Sequence, residues 1–119
     1  MAMKNNPLAD KSYDFALKIV LLYKELTSVN KEYVLSKQLL KSGTSIGANI
    51  AEANGAISKA DFSAKISIAY KESLETKYWL SLLRDSKYLD NVEAGELINN
   101  ADELSKIMFS IMKTTRIRK

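Results

Sequence analysis

The chain has 119 residues, a formal charge of +4, no cysteine and no histidine. That length makes one domain, residues 1–119, able to bury roughly two-thirds of the surface its unfolded chain exposes without disulfide staples. The missing residue types exclude disulfides, thiolate metal sites, cysteine nucleophiles and histidine-based acid–base catalysis.

No apolar run approaches the roughly 20 residues of a membrane span, and the N-terminus MAMKNNPLADK lacks the apolar centre of a signal peptide. A cytoplasmic protein without membrane contact is expected. Lys113, Arg116, Arg118 and Lys119 carry the whole positive excess, because the other positions are balanced in charge. A balanced body with a short basic tail, 113–119, reads either as a solvated terminus or as a set of phosphate contacts.

Asn6-Pro7 supplies an N-cap and a first helical position, where proline's missing N–H costs nothing. The first helix then places Phe15, Ile19, Leu22 and Leu26 on a core stripe, with Ala16, Val20 and Tyr23 on an adjoining one, and ends near Thr27. The polar segment Ser28 to Glu32 breaks the pattern. The second helix starts either after Asn30 or behind a Ser36 cap, and the pattern leaves both open.

Toward its end near Ala53, the second helix puts Leu39, Gly43, Ile46, Ile50 and Ala53 on one core face. Beside it runs the row Leu40, Thr44, Gly47 and Ala51, small enough for another helix to approach the backbone. Each interior glycine costs about 1 kcal/mol relative to alanine, which a packing contact must offset. Asn54-Gly55 tolerate positive φ and are expected to end the helix. Ser58 and Asp61 form a capping box for the third helix, flanked by Ile57 and Phe62 in staple positions.

The third helix steps through Phe62, Ile66, Ala69, Ser73, Thr76, Leu80 and Leu83, a bundle seam with small residues at its middle. A mixed row, Ile68, Glu72, Glu75, Trp79 and Leu82, lies about a third of a turn away and reads as the flank of the core or as a subunit contact. The helix is expected to stop near Lys87, followed by the apolar plug Tyr88-Leu89. Asp90 and Glu93 repeat the N-terminal signature. The fourth helix carries Leu97, Ala101, Leu104, Met108 and Ile111, with Ile98 and Ile107 beside them, and frays into the basic tail. Four helices of about 20 residues with short connections imply an all-α, antiparallel up-down-up-down bundle. The Gly55 corner and the basic C-terminus then share one end.

Glu52, Glu72 and Glu75 suggest a carboxylate-bridged metal, but that chemistry uses Glu-x-x-His motifs and the chain has no histidine. Ser45, Ser58 and Ser63 have no histidine base, and no phosphate-binding or dinucleotide glycine pattern occurs. No enzyme, metal, cofactor or small-molecule substrate is expected. Asn49 and Glu52 sit at the edge of the core face, where a buried hydrogen bond to a Lys or Tyr side chain of the third helix, such as Tyr70 or Tyr78, would set the helix register.

The run Ser45-Ile46-Gly47-Ala48-Asn49-Ile50-Ala51-Glu52 resembles the signature of a bacterial family of four-helix bundle proteins, the 23S ribosomal RNA intervening-sequence proteins. The resemblance extends through Ser58-Lys59-Ala60-Asp61-Phe62, Lys71-Glu72-Ser73-Leu74-Glu75-Thr76 and Tyr78-Trp79-Leu80, and upstream to Tyr33 and Gln38-Leu39. Gly47 stands where many members have proline, and Ala53-Asn54-Gly55 replaces the commoner glycine after the glutamate. The resemblance implies an antiparallel four-helix bundle, often a ring-shaped homopentamer, without established enzymatic activity. Some members are encoded within inserts of the large-subunit ribosomal RNA gene, and a similar bundle is accessory to a retroelement reverse transcriptase.

Two functions are expected from this reading. The first is a nonenzymatic, RNA- or ribosome-associated oligomer in which Lys113, Arg116, Arg118 and Lys119 form a basic rim and Ser45, Ile46, Asn49, Ile50, Glu52 and Gly55 serve structure or binding. The alternative is a protein-interaction scaffold or accessory subunit with no direct nucleic-acid contact. In both, Ile68, Glu72, Glu75, Trp79 and Leu82 are the candidate contacts between copies, with Trp79 at or near the boundary.

Overall fold

The apolar positions of the sequence become helices because their three- and four-residue spacing lets each segment bury one stripe. The computed structural model describes residues 6–117 and comprises α1 (Pro7–Ser28), α2 (Leu35–Asn54), α3 (Lys59–Asp85) and α4 (Asn91–Ile117). The described residues form a bundle of 47 × 23 × 21 Å. Each helix packs on its neighbours in sequence, α1 also meets α4 along a sparser seam, and among the described residues the backbones of the diagonal pairs do not approach closely. Phe15, Ile19, Leu22 and Leu26 meet Leu39, Ile46, Ile50, Ile66, Leu80, Leu83, Leu97, Leu104 and Met108 in one core.

The two interior glycines of α2 sit where α1 comes closest. A Cβ at Gly43 would lie 2.9 Å from Ile19 Cγ2, and one at Gly47 would lie 3.3 Å from the Ser12 carbonyl oxygen. The core also holds two hydroxyl bridges between helices. Thr76 Oγ1 donates to Ser42 Oγ over 3.0 Å, and the Ser73 and Ser105 hydroxyls lie 2.7 Å apart. Every one of these residues is buried, and hydroxyls are tolerated there because each also has a backbone carbonyl of its own helix within reach as an alternative acceptor for its one proton.

Asn6 caps α1 as expected, its side chain accepting from the Ala9 amide, with Pro7 in the first turn. The start of α2 resolves the open alternative in favour of neither residue. Its first amides are capped by Glu32, whose carboxylate accepts from Val34 (3.0 Å), Leu35 (2.9 Å) and Ser36 (2.6 Å). The Ser36 hydroxyl points back to the Glu32 carbonyl instead of capping.

The α2–α3 corner departs from expectation in three ways. Gly55 ends α2 at φ −101°, so no left-handed residue is used there. Ser58 Oγ accepts from the Asp61 amide, but the Asp61 carboxylate reaches the Ile57 amide, not that of Ser58. Ile57 is 95% exposed, so the expected staple with Phe62 does not form. Left-handed φ occurs instead at Lys31 (55°) and Lys87 (72°), in the α1–α2 and α3–α4 turns. The expected fraying of α4 is also corrected, since the helix continues to Ile117 and carries Lys113 on its exposed surface.

Candidate functional site on the α2–α3 face

Two groups of residues that are far apart in the sequence come together on one outer face. On α2, Lys41, Ser45, Asn49 and Glu52 follow one another at four-, four- and three-residue steps, so they share a side of the helix. On α3, Lys65, Ile68, Glu72, Glu75, Trp79 and Leu82 do the same. The rows meet where Lys65 Nζ approaches Glu52 Oε1 at 2.7 Å. The charge of Lys41 on α2 also acts on Glu72 of α3, lowering its pKa against the rise that burial and Glu75 cause.

Within α2, Ser45 Oγ donates to the Lys41 carbonyl (2.6 Å) and Asn49 Nδ2 to the Ser45 carbonyl (2.8 Å). Of the expected interhelical bonds to a lysine or tyrosine of α3, Glu52 makes one to Lys65, at the surface instead of buried, and Asn49 makes none. Asn49 serves its own helix, and Glu52 takes a lysine at the surface because its position faces solvent. Ile46 and Ile50 are core residues, and Gly55 is exposed at the corner.

On α3, Trp79 is half-buried and held in place. Its Nε1 donates to Glu75 Oε2 over 3.0 Å, and its ring meets Tyr78 edge-on at 5.0 Å between centroids. Along the same row Leu82, one turn on, is 36% exposed and Ile68, three turns before Trp79 and beyond Glu75 and Glu72, is 42% exposed. Burial raises the Glu72 pKa, the neighbouring Glu75 carboxylate adds to this, and Lys41 opposes both. The face thus combines apolar surface with a partly buried carboxylate whose pKa is raised.

A second surface lies between α1 and α2. Tyr13 and Ala16 on α1 and Gly47, Ala48 and Ala51 on α2 line an open, mainly apolar groove of about 520 Å³. The small row on α2, which the sequence marks as a close helix contact, is one only in part: Gly47 approaches the α1 backbone, while Thr44, Gly47 and Ala51 also line the groove. Among the described residues no group of acidic side chains is placed to hold a metal ion, and no helix is long and apolar enough to cross a membrane. Of the basic tail, Arg118, Lys119 and the Arg116 side chain lie outside the described residues.

No curated protein matches the chain. Among solved structures, it is similar to the crystal structure of a protein with unknown function from the S23 ribosomal protein family of Bacteroides thetaiotaomicron. The two share 50% sequence identity and a TM-score of 0.88, over 89% of this chain and 98% of that one. The family description "23S rRNA-intervening sequence protein" matches residues 4–110, and neither comparison indicates an enzymatic family. With a match over most of its length and the four helices in place, the chain belongs to the 23S rRNA-intervening sequence protein family.

Proposed function

We propose that this protein is a nonenzymatic, antiparallel up-down-up-down bundle that acts as a cyclic homo-oligomer, five-fold as the resemblance implies, and associates with RNA or a ribonucleoprotein in the bacterial cytoplasm. The direction of the helices is supported by cross-helix pairs whose numbers run in opposite senses, Lys11 with Glu103 and Lys18 with Asn100, or Ser42 with Thr76 and Glu52 with Lys65. The observation that carries the assembly is the row on α3, where Leu82 exposes apolar surface beside a fixed Trp79 and Ile68 exposes more at the row's other end. Patches of this kind mark contacts more often than idle surface, and a standard interface needs about 800 Å² per partner. Repeating Lys113, Arg116, Arg118 and Lys119 around a ring would multiply weak phosphate contacts into avidity.

Light scattering at micromolar concentration tests the assembly, with a multiple of the 13.3 kDa chain mass expected. A single-chain mass refutes it, and Trp79→Ala leaving a larger mass unaltered removes Trp79 from the boundary. Fluorescence polarisation with structured ribosomal RNA at two salt concentrations tests the association, which fails if nothing binds at low salt. The apolar α1–α2 groove supports a second reading, a scaffold for a protein partner. A specific protein recovered from the native host after nuclease treatment, with no RNA affinity, would favour it.

A further inference from the structure

Outside the last residues the sequence balances its charges, but the fold sorts them by face. Glu93 and Glu96 of α4 line a groove against α1 with Glu25, and Glu103 pairs with Lys11 across the same seam. The opposite side of α4 carries Asp102, Lys106, Phe109 and Lys113, at four-, three- and four-residue steps. That side turns to α3. Lys77 of α3 and Lys106 both reach Asp102, at 3.0 Å and 3.1 Å, so one carboxylate is shared between two ammoniums. Lys113 follows one turn beyond Phe109, and Lys59 lies on the row of Tyr70 three turns earlier, both exposed. The charge carried by these residues is net positive.

Between the lysines lies an aromatic patch. Tyr70, Leu74 and Lys77 line an open depression of about 290 Å³ with Asp102, Lys106 and Phe109. The Tyr70 and Phe109 rings are 5.9 Å apart at their centroids and tilted by 38°. Phe109 is 46% exposed and Leu74 42%, so this apolar surface is left outside the core. Lys106 keeps 78% of its side chain in solvent, and an exposed ion pair holds weakly, so Lys106 can exchange Asp102 for a stronger anion. Cations around exposed rings are the elements that hold a single strand, with phosphates on the ammoniums and bases on the rings. An acidic peptide would match the lysines but leave Phe109 and Leu74 uncovered.

We infer that the α3–α4 face binds single-stranded RNA, with Lys59, Lys106 and Lys113 on phosphates and a base stacked on Phe109 beside Tyr70. Lys77 stays with Asp102 and balances its charge when Lys106 turns to a phosphate. The inference rests on the RNA association proposed above and gives it a folded surface, continuous in sequence with Arg116, Arg118 and Lys119.

The test uses the full chain and a fluorescein-labelled 20-nucleotide polyuridine. Lys59→Gln with Lys106→Gln should weaken binding about 10-fold and lower the salt slope by about 1.4, for two lost phosphate contacts. Lys24→Gln with Lys37→Gln removes the same charge from α1 and α2 and should leave the affinity within about 2-fold of the parent. Phe109→Ala should weaken binding about 10-fold with the slope unchanged, and Phe109→Trp, which keeps a stacking face, should bind like the parent. Lysine variants of the α3–α4 face that bind no more weakly than the α1 and α2 pair overturn this site and leave the RNA reading standing. A parent that binds structured ribosomal RNA but not polyuridine overturns the single-strand site alone, and one that binds neither overturns both. Phe109→Ala that binds like the parent overturns the stacking, and a polyglutamate peptide that then displaces the polyuridine makes the occupant an acidic protein segment.

Discussion

Gly43 lies so close to Ile19 that a Cβ at position 43 would stand 2.9 Å from Cγ2 and 3.3 Å from Cβ of the isoleucine. Ile19 is fully buried and branched at Cβ, so it has little room to yield. Gly43→Ala is expected to destabilise the fold, because overpacking of about 1–3 kcal/mol outweighs a propensity gain of about 1 kcal/mol. Gly95→Ala in α4 should do the reverse and stabilise by about 1 kcal/mol, since nothing lies within 4 Å of a Cβ there. Urea unfolding of the two variants checks the pair. Equal signs would mean that the α1–α2 approach is looser than described.

Glu32 is expected to govern part of the acid limb of stability. Burial raises its pKa, but the amide hydrogen bonds from Leu35, Ser36 and Val34 outweigh burial and bring it below the ordinary carboxylate value. A folded pKa below the unfolded one adds stability that is complete above the unfolded value and disappears as pH falls through the folded value. Glu32→Ala should cost about 1–2 kcal/mol at pH 7, as loss of a strong N-cap does. It should also flatten the melting temperature against pH below the unfolded carboxylate value of 4.5. Thermal melts across that window decide the matter, and an unchanged acid limb would show that the cap is not charge-assisted.

Glu72 should act with the opposite sign. Its folded pKa is raised, first by burial and then by Glu75, so its favourable contribution is present below the unfolded value and is lost as pH rises through the folded one. Glu72→Gln is expected to raise the melting temperature at neutral pH and leave it nearly unchanged at pH 4. If it lowers the neutral-pH value, the carboxylate is being held by a cation, as a neighbouring copy on this face would supply.

The Ser42–Thr76 bridge should show coupling in a double-mutant cycle. Thr76→Val leaves the buried Ser42 hydroxyl with only a 3.4 Å contact to the Leu39 carbonyl. Stranding a buried polar group costs about 1–3 kcal/mol. The pair Ser42→Ala with Thr76→Val should therefore cost less than the sum of the single variants. Strict additivity in chemical denaturation would deny the bridge an energetic role.

The sequence by itself determined the four helices, nearly all their core stripes, the Asn6 and Ser58 caps and the family. Those features depend on spacing of three and four residues or on neighbours within one turn, which the order of residues records directly. The seam of α3 is the clearest case, because Ile66, Ala69, Ser73, Thr76, Leu80 and Leu83 are all buried as their spacing requires. Only the tertiary structure decided that Glu32 is the α2 cap, since a buried glutamate before a helix looks like any polar loop residue until its three amides converge on it. Only the structure chose Lys65 among the lysines and tyrosines of α3 as the partner of Glu52 and left Asn49 to its own helix, because which partner a polar side chain meets depends on the axial offset of two packed helices. The left-handed turns at Lys31 and Lys87 were hidden for the same reason, as lysine carries no local preference for positive φ and it is the closure of the helices on either side that imposes it.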